Sequence, residues 1–289
     1  MAPRNAPSDD KKPLKFLMLH GYTQSGPLFR AKTGALSKAL TKAFPLHTVT
    51  LSYPTGPLRL NPADIPGYTP SWNDPLAAET EIEAYGWWRR SDKTASEAPE
   101  YVGLNNGLAT VAKTLKEEGP FDGVVGFSQG ATMAFIVASL LEPGRKDAFD
   151  AAISSGNNSY GIPFPPEFNA ENTGDHPPFK FALLYSGFRA AGPRYNAFYE
   201  NPQLQTPALH VLGTLDAVVD EARGRQLIAA CAGDPEKQGR VIFHPGGHFV
   251  PSQKTYLDAA VGFVRRGLEQ DGGDNMEQEE RVEDMDLPF

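Results

Sequence analysis

Cysteine is nearly absent from this sequence: Cys231 is the single thiol among 289 residues. One cysteine excludes an intramolecular disulfide and a cysteine-rich metal site. Its neighbours "LIAACAG" predict a small packed side chain rather than a nucleophile. Basic charge is also scarce, since 27 Lys and Arg face 35 Asp and Glu, for a formal net charge of −8. Nucleic acid and anionic membrane surfaces attract basic patches, so neither is expected as a partner.

Long hydrophobic runs are missing as well. No segment approaches the roughly 18 consecutive apolar residues of a membrane-spanning helix, so no membrane span is predicted. The first residues, "MAPRNAPSDDKKP", lack the apolar run of a signal peptide. We therefore expect a cytoplasmic protein.

Composition divides the chain into a core and two polar ends. Residues 1–13 are polar and proline-rich, and residues 270–289 are rich in carboxylates, so both ends are predicted to be disordered. Residues 14–269 are predicted to form one domain. Two stretches, about 55–101 and 143–178, fit poorly with the alternation of strand and helix patterns in the rest of this domain. Insertions of this length are often lids or binding loops.

Apolar strand candidates alternate with helical patterns through this domain. The predicted strands are 15–20, 47–54, 121–127, 179–188, 208–216 and 240–247, and the predicted helices are about 30–43, 104–118, 130–142, 221–232 and 253–268. The strands are almost continuously apolar, which is typical of strands covered on both faces. This alternation predicts a doubly wound, mostly parallel sheet of the α/β class, with ligands bound beyond the carboxyl ends of its strands.

The stretch "GFSQG" places Ser128 between a predicted strand and a predicted helix. This is the G-x-S-x-G pattern and context of a nucleophile elbow, in which a strained turn exposes the serine. Side chains at Gly126 and Gly130 would collide with the adjacent strand and helix. A plain turn would need only one of these glycines, so Ser128 is the candidate nucleophile.

A serine hydroxyl needs a base, and in α/β-hydrolases the order along the chain is Ser, Asp or Glu, then His. Asp216 ends one predicted strand and His248 follows the last one. Asp220 is a rival carboxylate, but Asp216 lies closer to the strand end. His244 is a rival base, but it precedes Pro245 and is expected to pack there. Ser128, Asp216 and His248 are thus the predicted catalytic set.

The tetrahedral intermediate of acyl transfer also needs preorganised N–H donors. The backbone N–H of Gln129, directly after the nucleophile, is one candidate, and the N–H of Tyr22 in "HGYTQSG" is the other. His20 is expected to brace this loop. Of the remaining histidines, two in strands are predicted to be structural and one in a polar loop to be solvated: His47, His210 and His176.

Several motifs together resemble a known family. "LHGYTQSG", "GPFDGVVGFSQGA", "LHVLGTLDAVV" and "HPGGHFVP" are similar to the eukaryotic family of serine hydrolases that is abundant in fungi. The family includes the ovarian-tumour-suppressor-candidate homologue of animals and fungal thioesterases that release polyketides. The resemblance runs from about residue 14 to 268, and it implies an α/β-hydrolase fold with Ser128, Asp216 and His248 as the triad.

The resulting hypothesis is a serine esterase or thioesterase with no cofactor and no metal, acting on a small-molecule acyl ester or thioester. A finer hypothesis is release of an acyl or polyketide chain from the carrier domain of a synthase in secondary metabolism. The alternative is a non-catalytic ligand-binding protein on a hydrolase scaffold. The aromatic stretch Tyr195, Phe198 and Tyr199 is predicted to be either core or acyl-pocket wall.

Overall fold

The computed structural model describes residues 11–65, 83–91, 99–154 and 161–283, with side chains through Glu269. Trp72 and about half of the first predicted insertion lie outside the described residues. The strands are β1 Lys12–Leu19, β2 His47–Ser52, β3 Leu58–Arg59, β4 Tyr85–Gly86, β5 Arg89–Ser91, β6 Glu100–Val102, β7 Gly123–Phe127, β8 Phe181–Tyr185, β9 Ala208–Gly213 and β10 Val241–His244. The helices are α1 Gly26–Lys32, α2 Gly34–Ala43, α3 Leu104–Glu118, α4 Gln129–Leu140, α5 Arg145–Ser154, α6 Ala170–Thr173, α7 Glu221–Ile228 and α8 Lys254–Glu283.

Six strands form the central sheet in the order β10-β9-β8-β7-β1-β2. Every neighbouring pair is parallel. All residues of β7 and β8 are buried, because these central strands are covered on both faces. The predicted doubly wound α/β sheet is confirmed, and all six predicted strands occur in it.

Helices cover both faces of the sheet. One core cluster holds residues of α3 and α4, and the other holds residues of α1, α2 and α8. Every residue of α4 is buried, so this helix packs against the protein on all sides rather than along one apolar stripe. Each large apolar side chain of α4 contributes roughly 1.5–3 kcal/mol by leaving water. Burial on all sides fixes the start of α4, and with it the residue that precedes it.

The described parts of both predicted insertions carry secondary structure. In the first, β3 pairs antiparallel with β4, and β5 pairs antiparallel with β6. The second contains α5, which begins at the fully buried Arg145. That guanidinium donates to the carbonyl of Pro202 at 2.6 Å and pairs with Glu142 at 3.5 Å. The insertions are therefore built into the same core as the sheet.

The ends of the domain differ from the predicted bounds. Strand β1 begins at Lys12, two residues before the predicted start at 14, because it pairs in register with β2 from Lys12 onward. Helix α8 runs to Glu283 and so enters the predicted acidic tail. The helix formers in "NMEQEERVE" are compatible with this extension. None of the helices in the described part of the chain has the length and apolarity that a membrane span requires.

Candidate active site

The turn between β7 and α4 holds Ser128 in a strained conformation. Its φ of 54° and ψ of −120° lie where non-glycine residues are rarely found. Such strain costs on the order of 1–3 kcal/mol and persists only where the surroundings enforce it. The Ser128 N–H donates to the carbonyl of Tyr185 at 2.8 Å, and the Ser128 carbonyl accepts from the N–H of Ala131 at 2.9 Å. The turn is therefore fixed to both the neighbouring strand and the helix.

Both glycines of the motif are required by close backbone approach. A Cβ at Gly126 would lie 2.3 Å from the Gly130 carbonyl oxygen. A Cβ at Gly130 would lie 2.1 Å from the Leu19 carbonyl oxygen and 2.4 Å from that of His20. All three distances are far below contact distance. The expected collision of larger residues with helix and strand is thus present at both positions.

Three side chains from the carboxyl ends of strands meet at this turn. His248 Nε2 lies 2.8 Å from Ser128 Oγ, and His248 Nδ1 lies 2.7 Å from Asp216 Oδ2. The residues are 120 and 32 positions apart along the chain, so the sheet topology brings them together. The ring of Phe127 packs on the imidazole at 4.8 Å between centroids, which restricts its orientation.

The Asp216 carboxylate is held by its own loop. Its Oδ1 accepts from the backbone N–H groups of Val218 and Val219, each at 2.9 Å. Burial alone raises the pKa of Asp216. The hydrogen bonds from His248 and from these two N–H groups outweigh burial, so its pKa falls below the ordinary value. Asp216 is therefore charged at neutral pH and oriented toward the imidazole.

The rival residues have other contacts. Asp220 caps α7, where its Oδ1 accepts from the Arg223 N–H at 2.9 Å. His244 is buried and packs against Phe249 and Tyr256, with ring centroids 5.0 and 5.7 Å apart. Its Nε2 has no hydrogen-bond partner among the described residues. Neither residue reaches Ser128.

The loop after β1 lies beside the serine. Neither the Tyr22 N–H nor the Gln129 N–H donates a hydrogen bond to a described residue. His20 accepts from the Gly56 N–H at Nε2 (2.8 Å), and its Nδ1 donates to the Gly21 carbonyl at 2.7 Å. Burial lowers the pKa of His20 to about 4, so the neutral ring braces this loop.

His210, His176 and Cys231 are buried and make structural contacts. His210 Nε2 lies 3.3 Å from Cys231 Sγ. Burial lowers the pKa of His210 to about 3 and raises that of the thiol to about 12. The prediction that His176 is solvated is wrong: it is buried, and its Nε2 accepts from the Phe121 N–H at 2.7 Å. That N–H needs a buried acceptor, and the sequence gives no sign of it.

The side chain of Gln129 makes contacts that sequence analysis missed. Its Oε1 accepts from the Trp87 N–H and its Nε2 donates to the Trp88 carbonyl, both at 2.8 Å. Gln129 is buried, and Trp87 and Trp88 are buried with it. A residue of the elbow thus holds the first insertion by its backbone. In the sequence, the signal for this contact is the unusual stretch "WWRR" at residues 87–90.

Two cavities meet at Ser128. The first, of about 510 Å³, extends toward the first insertion and α7. Its charged or hydroxyl-bearing lining residues besides Ser128 are Tyr22, Asp64, Arg89, Arg90, Tyr101 and Arg223. The second, of about 440 Å³, lies on the other side and is lined by His248, Phe127, Phe249, Val250 and Lys32, among others. Both volumes are typical of small-molecule sites.

The aromatic stretch after β8 belongs to the core. Tyr195, Phe198 and Tyr199 are all buried, and none of them lines the first or the second cavity. Tyr195 supports the first cavity indirectly, because its hydroxyl accepts from the Tyr101 N–H at 2.8 Å and the two rings stack at 4.7 Å. No group of three or more His, Cys, Asp or Glu side chains within the described ranges is placed to hold a metal ion.

Comparison with solved structures supports the fold. Zea mays acyl-protein thioesterase 2 is 20% identical with a TM-score of 0.52, and the match covers 93% of this chain and 97% of that one. Arabidopsis thaliana SOBER1 is 16% identical with a TM-score of 0.52, over 89% and 99% of the two chains. At these identities the likeness concerns the fold alone, which is that of an α/β-hydrolase.

Sequence comparison finds closer relatives. Esterase OVCA2 of Danio rerio is 31% identical over 88% of this chain and 97% of its own length. A Schizosaccharomyces pombe protein named dihydrofolate reductase is 36% identical over 88% of this chain. This chain spans only 47% of that protein's length. The profile of the family "Serine hydrolase (FSH1)" matches residues 9–260. The chain therefore belongs to the FSH1 family of serine hydrolases.

Proposed function

We propose that this protein hydrolyses carboxylic esters or thioesters through an acyl-enzyme on Ser128. The observation that carries the proposal is the hydrogen-bonded chain from Ser128 through His248 to Asp216, built on a serine at positive φ. The name of the relative, Esterase OVCA2, supports the same chemistry. Family membership alone leaves the roles of individual residues open.

In the proposed reaction, Ser128 Oγ attacks the acyl carbon while His248 Nε2 takes its proton. Asp216 keeps the imidazole in the tautomer with the proton on Nδ1 and stabilises the imidazolium. The oxyanion binds the backbone N–H groups of Tyr22 and Gln129, each worth about 2.7–4 kcal/mol in the transition state. His248 then gives its proton to the departing alcohol or thiol.

Deacylation runs the same steps with water. Water attacks the acyl carbon, His248 takes a proton from it, and the bond from the acyl carbon to Ser128 Oγ breaks. The proton returns to Oγ and the carboxylic acid leaves. The strained turn favours both the attack by Ser128 and the later attack by water. It exposes the serine, so that the acyl carbon and the base can both lie next to Oγ.

The test is covalent labelling with a fluorophosphonate probe together with turnover of a p-nitrophenyl ester. Ser128→Ala is expected to lose both. Ser37→Ala, in helix α2 and remote from the turn, is the matched control and is expected to keep both. Labelling that survives Ser128→Ala refutes the role of Ser128. Tight ligand binding by an unmodified protein that the probe does not label would favour the alternative, a non-catalytic binding protein.

The finer proposal is release of an acyl chain from a carrier domain of a synthase. Large apolar side chains are exposed beside the site: Leu215 precedes Asp216 and Phe249 follows His248, with exposed fractions of 72% and 43%. Such a rim favours a large leaving group that docks on the surface. Efficient turnover of simple alkyl esters, with no turnover of carrier-bound thioesters of the same acyl group, would overturn this proposal.

A further inference from the structure

The two cavities at Ser128 differ in their relation to His248, and this difference assigns the two ends of the substrate. His248 lines only the second cavity, beside Phe249 and Val250. The leaving group takes its proton from His248 Nε2, so it must lie on the His248 side. The acyl group then extends into the first cavity, which Gln129 also borders, whereas Tyr22 borders both cavities. This assignment rests on the proposed hydrolase function.

The first cavity is cationic in a chain that is strongly acidic overall. Among the described residues three arginines line it, Arg89, Arg90 and Arg223, against one carboxylate, Asp64. The formal net charge of the whole chain is −8. Arg89 donates to Asp64 at 2.8 Å, so that carboxylate is already matched by one arginine. This pair is neutral overall, so Arg223 is the lining cation that we consider as a partner for a ligand.

Arg223 is the best-placed cation. Its guanidinium lies over the ring of Phe188, 4.4 Å from the centroid, and its Nη1 is 3.5 Å from the Val218 carbonyl oxygen. It forms no ion pair with any residue in the described part of the chain. Stacking on an aromatic face fixes the plane of a guanidinium and leaves its edge to bind a carboxylate through two N–H groups.

Tyr101 lines the same cavity and adds a hydroxyl. The positive charges of both Arg90 and Arg223 act to lower its pKa, although its burial raises it more. Its hydroxyl oxygen accepts from the Ala191 N–H at 2.8 Å, which leaves its own proton to donate to a ligand. The lining of the first cavity thus includes the Arg223 guanidinium and one O–H donor, a set suited to an anion rather than to an alkyl end.

We propose that the preferred acyl groups end in an anion, of which a terminal carboxylate is the simplest. The substrate would then be a monoester or monothioester of a dicarboxylic acid. The scissile carbonyl lies at Ser128, and the free carboxylate lies near Arg223 and Tyr101. A neutral chain of equal length would leave Arg223 without a counter-charge in a partly enclosed cavity, which lowers its affinity.

The test compares N-acetylcysteamine monothioesters of adipic, suberic and sebacic acid with the isosteric ω-carboxamides. N-acetylcysteamine is uncharged, so a charge preference reports on the acyl cavity alone. We expect kcat/KM for the carboxylate to exceed that for the carboxamide by about 10-fold or more at one chain length, the size of one charge-assisted hydrogen bond. Raising the salt concentration should reduce this ratio.

Arg223→Gln is expected to lower the carboxylate-to-carboxamide ratio by about 10-fold. Arg225→Gln is the matched control. It removes the same charge from the same helix, but Arg225 faces Glu221 and Glu236 at the surface, so the ratio should not change. A ratio near one in the unmodified protein overturns the proposal. So does a preference that survives Arg223→Gln undiminished.

A third comparison separates the two possible sources of an anion. Hexanoyl thioesters of coenzyme A and of N-acetylcysteamine share a neutral acyl group and differ in leaving-group phosphates. Preference for coenzyme A, without preference for the carboxylate acyl chain, would place the anion on the leaving group and refute the proposal. Failure of the hydrolase function itself looks different, since no thioester would turn over and the fluorophosphonate probe would not label the protein.

Discussion

Substitution of Gln129 tests whether its side chain holds the first insertion against the turn at Ser128. We predict that Gln129→Met destabilises the protein and disturbs the acyl cavity. Methionine has a similar length and is apolar, so it fills the space but removes both hydrogen bonds to the backbone of Trp87 and Trp88. The backbone N–H of residue 129, the proposed oxyanion donor, is retained.

The magnitude follows from the groups that lose their partners. The Trp87 N–H and the Trp88 carbonyl are both in buried hydrogen bonds with Gln129. A buried backbone group without a partner costs about 1–3 kcal/mol, so two cost about 2–6 kcal/mol. Arg89 and Arg90 follow Trp88 directly, so their guanidinium groups should shift and KM for carboxylate-ended substrates should rise.

The assay is guanidinium denaturation followed by fluorescence, together with fluorophosphonate labelling. Gln203→Met is the control, since Gln203 donates one exposed hydrogen bond to the Ala229 carbonyl and is expected to lose less than about 1 kcal/mol. Labelling of folded Gln129→Met should persist, because neither the proposed nucleophile nor the proposed N–H donor is removed. A loss of stability no larger than that of Gln203→Met would refute the assigned role of this clamp.

Three further predictions concern single positions. Asp216→Asn should lower kcat by about 10⁴-fold with little loss of folding, because the amide no longer selects the imidazole tautomer; steady-state kinetics and circular dichroism check this. Gly130→Ala should fold poorly, because its Cβ would lie 2.1 Å from the Leu19 carbonyl oxygen; soluble yield and melting temperature check this. His210 has a pKa of about 3 in the folded chain and an ordinary value near 6.5 when unfolded, so the unfolded state binds its proton first as pH falls. The contribution of neutral His210 to the free energy of unfolding is complete above pH 6.5 and is lost between pH 6.5 and 3. From pH 7 to pH 5 this loss amounts to about 2 kcal/mol. Denaturation of His210→Leu at both pH values should show a pH dependence smaller by that amount, and an unchanged dependence would contradict it.

The order of strands and the residues at their ends were predictable from the sequence. Six apolar runs separated by helical patterns are enough to predict the parallel sheet, since strands covered on both faces lose the alternation of exposed ones. Carboxyl ends of parallel strands meet at one edge. The proximity of Ser128, Asp216 and His248 follows from this rule, although their catalytic roles stay a prediction.

Contacts between distant segments were not predictable. The clamp by Gln129 depends on where the first insertion crosses the elbow, and no local pattern records that path. The cationic cavity combines Arg89 and Arg90 of the insertion with Arg223 of α7, which lie more than a hundred positions apart in the sequence. The prediction for His176 was wrong for the same reason, because its partner, the Phe121 N–H, comes from another part of the chain.

The most direct test of the account is the position of the covalent adduct. The protein is treated with a fluorophosphonate, digested, and the modified peptide is sequenced by mass spectrometry. We predict one adduct, on Ser128, whose formation slows strongly in His248→Gln because the proposed base is lost. An adduct on any other residue, or no adduct on folded protein, would contradict it.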